Sequence, residues 1–218
     1  QDIIMALYST LYFQAKWTDE FSASNNTQDV FHTLDGDTQA TFMNKKLAQM
    51  YYYWGETFGA VNLTLKNGCH MWFILPDEDK TVDDVLSDGS YMEMISDLNW
   101  ENNKYMKVNL SVPKFDVSAT TDLSNGFKNM GVTKVFQEVE AEFTNLTGDL
   151  PIYLTEANQS VRVQIDEQGV KAAVYFEIPG AGAAEPPEEI IDFVLDRPFL
   201  FVITNDNIPL FAGCVNNP

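Results

Sequence analysis

The segment Gly169-Val-Lys-Ala-Ala-Val-Tyr-Phe-Glu-Ile-Pro-Gly-Ala-Gly-Ala-Ala-Glu-Pro-Pro187 changes character at its midpoint. In its first half Val170, Ala172, Val174, Phe176 and Ile178 are apolar, with Lys171, Ala173, Tyr175 and Glu177 between them. That period of two marks a strand with one buried face. The second half, Pro179 to Pro187, consists of small residues and prolines. It has little to bury and reads as an exposed loop. Upstream, Val161, Val163 and Ile165 alternate with Arg162, Gln164 and Asp166, so a strand leads in, separated only by Glu167-Gln168-Gly169. Composition admits two readings. The strand simply continues into a long loop, or the segment is a loop in one state and a strand in another.

The flanking chain is rich in strands. Ile3 to about Phe13 is apolar and strand-like, with no charged region or cleavage site before it, so it is not a signal peptide. A domain that begins inside a hydrophobic strand suggests that upstream sequence is missing. Phe58–Leu65 and Met71–Leu75 flank Lys66-Asn67-Gly68-Cys69, and Asn-Gly between apolar runs predicts a type I′ hairpin. Thr81-Val82-Asp83-Asp84 resembles a capping box and opens a short helix that Gly89 breaks, followed by a turn or two over Tyr91–Leu98. Met106, Val108, Leu110 and Val112 alternate with polar residues and predict a half-buried strand, with Pro113 marking a bend or an edge. Leu123 to Met130 reads as a helix stopped by Gly131. Phe199–Thr204, Asn205-Asp206-Asn207 and Ile208–Gly213 read as a C-terminal hairpin. No repeat and no linker appear, so the pattern is that of one domain.

Composition excludes several classes. The 218 residues carry a formal charge of −19, yet 45% are apolar, with 15 Phe, 9 Tyr and 4 Trp. A disordered acidic tail does not carry so many large apolar side chains. The basic footprint that nucleic acid requires is missing, and an anionic membrane surface is disfavoured for the same reason. No run of 18 apolar residues spans a membrane. Cys69 and Cys214 rule out a disulfide-dense scaffold. Two buried thiols are the favoured reading, although one bridge is possible. His32 and His70 are the only histidines, which excludes a His-rich metal site, and Cys69-His70 alone is far short of one. Asn25, Asn62, Asn109, Asn145 and Asn158 each begin an Asn-x-Ser/Thr triplet, but Asn109 and Asn158 fall in predicted strands and are poor acceptors. Trp17, Trp54, Trp72 and Trp100 fit core or sheet packing better than a binding cage.

Several blocks, in order, resemble the serpin family. Leu11-Tyr12-Phe13-Gln14-Ala15-Lys16-Trp17 looks like the family's strand-end motif. Phe73-Ile74-Leu75-Pro76, Val112-Pro113-Lys114-Phe115 and Gly131-Val132-Thr133-Lys134-Val135-Phe136 are similar to three further blocks. Ile165-Asp166-Glu167-Gln168-Gly169 resembles the hinge that opens the reactive loop. Asp196-Arg197-Pro198-Phe199-Leu200-Phe201 and Phe211-Ala212-Gly213 through Asn217-Pro218 resemble the C-terminal signature. The resemblance covers essentially the whole chain and starts in the middle of the family's fold. It implies an α+β fold of large, mostly antiparallel sheets with few short helices and an exposed reactive loop. Residues 1–218 are then the C-terminal portion of one serpin domain, with 168–187 as hinge and reactive-centre loop.

The resemblance implies a suicide inhibitor of serine proteases, not an enzyme, secreted or at the cell surface, with no cofactor and no metal. Its partners would be a serine protease, held as a covalent acyl-enzyme, and the N-terminal part of the same serpin. No nucleic acid and no membrane partner are implied. Counting fourteen positions from the hinge glycine, as in the family, places the cleaved bond near Ala183–Ala184, with a one- or two-residue shift to Ala181 or Ala184 left open because the neighbours are so alike. The small side chains of Gly180 to Ala184 suit an elastase-like or subtilisin-like pocket. The hinge is Glu167, Gln168, Gly169, Val170, Lys171, Ala172, Ala173 and Val174, in which Val170 and Lys171 replace the common Thr and Glu. A charge or proline at Val170, Ala172 or Val174 would argue for a non-inhibitory carrier or chaperone, the alternative within the fold, and none is present. A β-rich surface domain with a spacer loop is the alternative outside it. Ser9 and Gln159 stand where the family usually has Asn and His, which hydrogen-bond where the sheet opens, and Ala15 replaces a glycine. With Trp17 and Lys114 they form the expected sheet-opening region, and Lys114 is expected to pair with Glu167.

Overall fold

The computed structural model describes residues 5–97, 99–148, 152–169 and 187–218. In chain order its strands are β1 (Ala6–Tyr12), β2 (Thr27–Thr33), β3 (Gly36–Trp54), β4 (Phe58–Thr64), β5 (His70–Pro76) and β6 (Asn103–Pro113). They continue with β7 (Phe115–Asp122), β8 (Glu156–Ile165), β9 (Ile190–Val194), β10 (Phe199–Asn205) and β11 (Ile208–Val215). The helices α1 (Val82–Asp88), α2 (Ser90–Ser96), α3 (Ser124–Asn129) and α4 (Thr144–Thr147) are short. The chain divides into two compact units, one from segments 1–13 and 117–163, the other from 14–116 and 164–218.

The first unit is built on a three-stranded sheet of order β1-β8-β7. β1 and β8 are parallel and pair directly, Ser9 against Gln159 and Thr10 against Ser160. Register partners share a face of the sheet, and Ser9 and Gln159 are both half-buried there. Ala157, almost fully buried, ties α3 to the sheet. Its amide donates to Ser124 Oγ at 3.2 Å and its carbonyl accepts from Leu123 N at 2.7 Å.

The second unit holds an eight-stranded sheet of order β11-β10-β5-β4-β3-β6-β9, with β2 on β3. β6 and β9 are parallel; the other described pairings in this sheet are antiparallel. β3 is 19 residues long, and its first part pairs with β2 while the rest runs along β6 and reaches β4. Its register against β6 shifts between Leu47 and Met50. β10 is buried from Phe199 to Thr204 without interruption, so both of its faces are core. On one face Phe73, Phe115, Phe199 and Phe201 meet at centroid distances of 5.5–6.2 Å. On the other, Trp72, Ile74, Leu200 and Val202 pack with Val85 of α1 and with Met94 and Ile95 of α2. A strand covered on both sides reads as a continuous apolar run rather than an alternation. β6 keeps the alternation, with Met106, Val108, Leu110 and Val112 buried and the residues between them half-buried.

The capping box forms as expected. Thr81 accepts from Asp84 N at 3.2 Å, the Asp84 carboxylate accepts from Thr81 N at 2.8 Å, and α1 ends at Gly89. One turn differs from expectation. Gly68 has φ 82°, but Asn67 is not at positive φ, so Asn67-Gly68 is not a type I′ pair. Gly68 N donates instead to Leu65 O at 3.0 Å, and Leu65 N to Cys69 O at 2.8 Å. A three-residue loop with glycine in the left-handed position closes this hairpin, because strand pairing stops at Thr64 and His70 and leaves too many residues for a two-residue turn. The turn with two left-handed residues is Asp206-Asn207, φ 47° and 64°, between β10 and β11. Both thiols are free, but only Cys69 is buried; Cys214 is half-buried, which corrects the expectation for it. Burial, with help from Asp83, pushes the Cys214 thiol up to about 11.

Candidate functional site

The second unit gathers the residues that follow β8 into a clamp. Asp166 to Gly169 folds back tightly, with Gly169 N donating to Asp166 O at 3.1 Å and Gln168 N to Asp166 Oδ1 at 2.9 Å. Gly169 sits at φ 86° and is bridged to Lys16. A Cβ there would lie 2.4 Å from Trp17 N and 2.6 Å from Lys16 Cα. Both the dihedral and the crowding by rigid backbone require glycine.

Three successive carbonyls of this turn are taken by donors from the segment after β1. Trp17 Nε1 donates to Asp166 O at 2.9 Å, Phe21 N to Glu167 O at 2.9 Å and Trp17 N to Gln168 O at 3.3 Å. Trp17 is 1% exposed and packs against Phe21 and Phe73 at 5.9 and 6.2 Å. Lys45 steadies the Phe21 segment from β3. Its ammonium donates to Asp19 O at 2.6 Å and lies 5.5 Å from the centre of the Phe21 ring.

The Glu167 side chain is the electrostatic centre. Its carboxylate lies 2.5 Å from Lys114 Nζ, with 16% of the Glu167 side chain and 36% of the Lys114 side chain exposed. It also accepts a hydrogen bond from Asn26 Nδ2. Burial by itself would push this carboxyl up. The hydrogen bonds from Lys114, from its own backbone and from Asn26, with the Lys114 charge, outweigh burial and hold it below the usual carboxylate range. Nothing in this arrangement is a nucleophile or a poised base. It fastens the Asp166–Gly169 turn to the segment after β1 and to Lys114.

Of the residues singled out in the sequence, Trp17, Lys114, Glu167, Gln168 and Gly169 come together here. Ser9 and Gln159 face each other in the β1–β8 register of the first unit. Val170, Lys171, Ala172, Ala173, Val174, Ala183 and Ala184 lie outside the described residues. Sequence reasoning missed Asn26 and Phe21 as members of the clamp. Asn26 carried only the signal of a triplet beginning at Asn25, and nothing in the sequence tied it to Glu167.

The family description "Serpin (serine protease inhibitor)" matches residues 1–218. The chain belongs to the serpin family, with the α+β fold of large sheets and few short helices that the resemblance implied. Alpha-1-antiproteinase of Callosciurus caniceps is 29% identical over 222 residues, covering 100% of this chain and 52% of that protein. Plasminogen activator inhibitor 1 of Neovison vison is 29% identical over 223 residues, covering 98% and 54%. The chain thus spans about half the length of the curated relatives it matches. Among solved structures, a serpin from Schistosoma mansoni superposes with TM-score 0.79 at 24% identity, covering 100% of this chain and 57% of that one. The thermophilic serpin tengpin in its native state gives 0.78 at 24%, covering 97% and 55%. These two establish the fold.

Proposed function

We propose that the chain is the C-terminal portion of a serine protease inhibitor that acts as a suicide substrate, working with the N-terminal part of the same serpin. Relatives named as an antiproteinase and as a plasminogen activator inhibitor support the class of activity. The observation that carries the reading is the direct parallel pairing of β1 with β8, upstream of a hinge fastened by Glu167, Lys114 and Trp17. A segment following β8 can join the sheet between these strands only if they part. That makes the pair a two-state element of the kind a switch requires. In the proposed reaction the protease serine hydroxyl attacks the Ala183 carbonyl. The Ala183–Ala184 peptide bond breaks, the Ala184 amine leaves with the serine proton, and an ester joins protease to inhibitor. Insertion of the cut segment, led by Val170, Ala172 and Val174 on one face, then competes with hydrolysis of that ester. The protein performs no turnover of its own, and it acts outside the cell or at its surface.

The test is incubation of the full serpin with pancreatic elastase or subtilisin. An SDS-resistant complex, with the new terminus at Ala184 by mass spectrometry, is the expected result. Cleavage without any such complex would sink the inhibitory reading and leave a non-inhibitory serpin.

A further inference from the structure

A cavity of about 510 Å³ beside α2, wholly within the second unit, has no part in the hinge. Its volume falls in the range of small-ligand pockets, roughly 300–1,000 Å³. Tyr51, Tyr53, Trp72 and Trp100 line it, together with Met94 and Ile95 of α2. Tyr53 stands edge-on to Trp72 at 5.1 Å. The indole N–H of Trp100 is spent on Trp54 O at 3.1 Å, so Trp100 offers the cavity its ring. The amides of Asn62, Asn103 and Asn207 and the carboxylate of Asp97 supply polar groups, and among the described lining residues there is no Lys or Arg.

His70 lines the same cavity, and its buried Nδ1 has no hydrogen-bond partner among the described residues. Thr204 stands directly opposite His70 in the β5–β10 register, is 1% exposed, and its Oγ1 also has no partner there. Register partners share a face, and residues two apart on a strand do too. Thr204, His70 and Trp72 are therefore on the side of the sheet that the cavity opens onto. Both atoms are closed off from solvent as well as unpartnered, so they lie behind the wall of the cavity and do not face its open volume.

We propose that this cavity binds a neutral pyranose saccharide, free or as part of a glycan on another protein. Flat Tyr and Trp rings match the C–H face of a sugar ring. The Asn amides and the Asp97 carboxylate match its vicinal hydroxyl groups, which both donate and accept. An apolar ligand would take water from the Asn62 and Asn207 amides and the Asp97 carboxylate and put nothing in its place. A sulfated or phosphorylated sugar would meet Asp97 and a chain of charge −19 with no cation to receive it.

The experiment titrates the full chain with neutral hexoses and N-acetylhexosamines to about 50 mM, enough to saturate a millimolar site. Trp fluorescence reads the binding. Sulfated sugars, an apolar dye and a glycoprotein carrying neutral glycans are parallel arms. At least one neutral sugar should change the emission. Tyr51→Ala should weaken its binding about fivefold through a lost stacking face, and Asn62→Leu should weaken it also, with circular dichroism unchanged. Tyr51 is 50% exposed, so its removal does not empty the core. Tighter binding of the glycoprotein than of the free sugar assigns the glycan as the source, and equal binding assigns the free sugar. No response to any neutral sugar, tighter binding of sulfated forms, response to the dye alone, or unchanged affinity in both variants would overturn the proposal.

Discussion

At Gly169 a single hydrogen atom in place of a side chain lets the Asp166–Gly169 turn lie against the backbone of Lys16 and Trp17. Gly169→Ala meets both positive φ and rigid backbone at 2.4 Å, so the chain must move. We expect a loss of about 2–3 kcal/mol, read as a lower urea midpoint. The pair beside it responds to acid. The Glu167 carboxyl is held below its ordinary value of 4.5 when folded. Its contribution to stability is therefore complete above about that value and is lost as pH falls through the lower, folded-state value. Lys114→Met should cost about 1–2 kcal/mol at pH 7, allowing for solvent screening at the part-exposed ammonium. The gap between variant and parent should narrow as the pH drops below 4.5, as urea titrations at pH 7 and pH 3 would show. An unchanged gap would mean that the ion pair adds nothing to folding.

Among the elements, α1 is seven residues long and depends on its cap, since a helix that short has little propensity to draw on. Thr81→Ala removes the acceptor for Asp84 N and should cost about 1 kcal/mol, while Thr81→Ser should restore most of it. Thermal unfolding of the two variants separates the cap from the packing of Val85. In the first unit, the β1–β8 pair is the element whose separation the proposed mechanism needs. Gln159→Ala opposite Ser9 should lower stability by about 0.5–1.5 kcal/mol if the half-buried amide makes a hydrogen bond across the strands. A stability unchanged within error would leave this pair without a role in holding the strands together.

For the molecule as a whole, the proposed mechanism makes charge and loop insertion decide the outcome of an encounter. A net charge of −19 should steer a cationic protease. Its association rate should fall several-fold between about 50 and 500 mM salt as the Debye length shrinks. A rate indifferent to salt would remove steering from the account. The proposed insertion would discriminate between faces. By the alternation in the sequence, Val174→Glu would put a carboxylate on the face that the proposed insertion buries, where it costs several kcal/mol or must first be protonated. Tyr175→Glu puts it on the other face. On the full serpin, the first should divert the reaction from covalent complex to cleaved product and the second should change it much less. Equal product ratios would contradict the alternation argument.

Local patterns were legible in the sequence because they are properties of a few adjacent residues. The alternation of β6, the capping box at Thr81 and the C-terminal hairpin are all of this kind. The ordered family blocks extended that reading to the hinge and to the pairing of Glu167 with Lys114. β2, β7, β9 and the 19-residue β3 were not legible. β3 serves different neighbours along its length and shifts register between Leu47 and Met50, so no single period runs through it. The Asn67-Gly68 turn looked like a two-residue hairpin until the strand ends set the loop at a different length. Asn26 reaches Glu167 across 141 residues. The cavity beside α2 draws its walls from β3, β5 and the segment after α2. Such groupings depend on which strands become neighbours, and strand order is a property of the folded chain that no short stretch of residues contains.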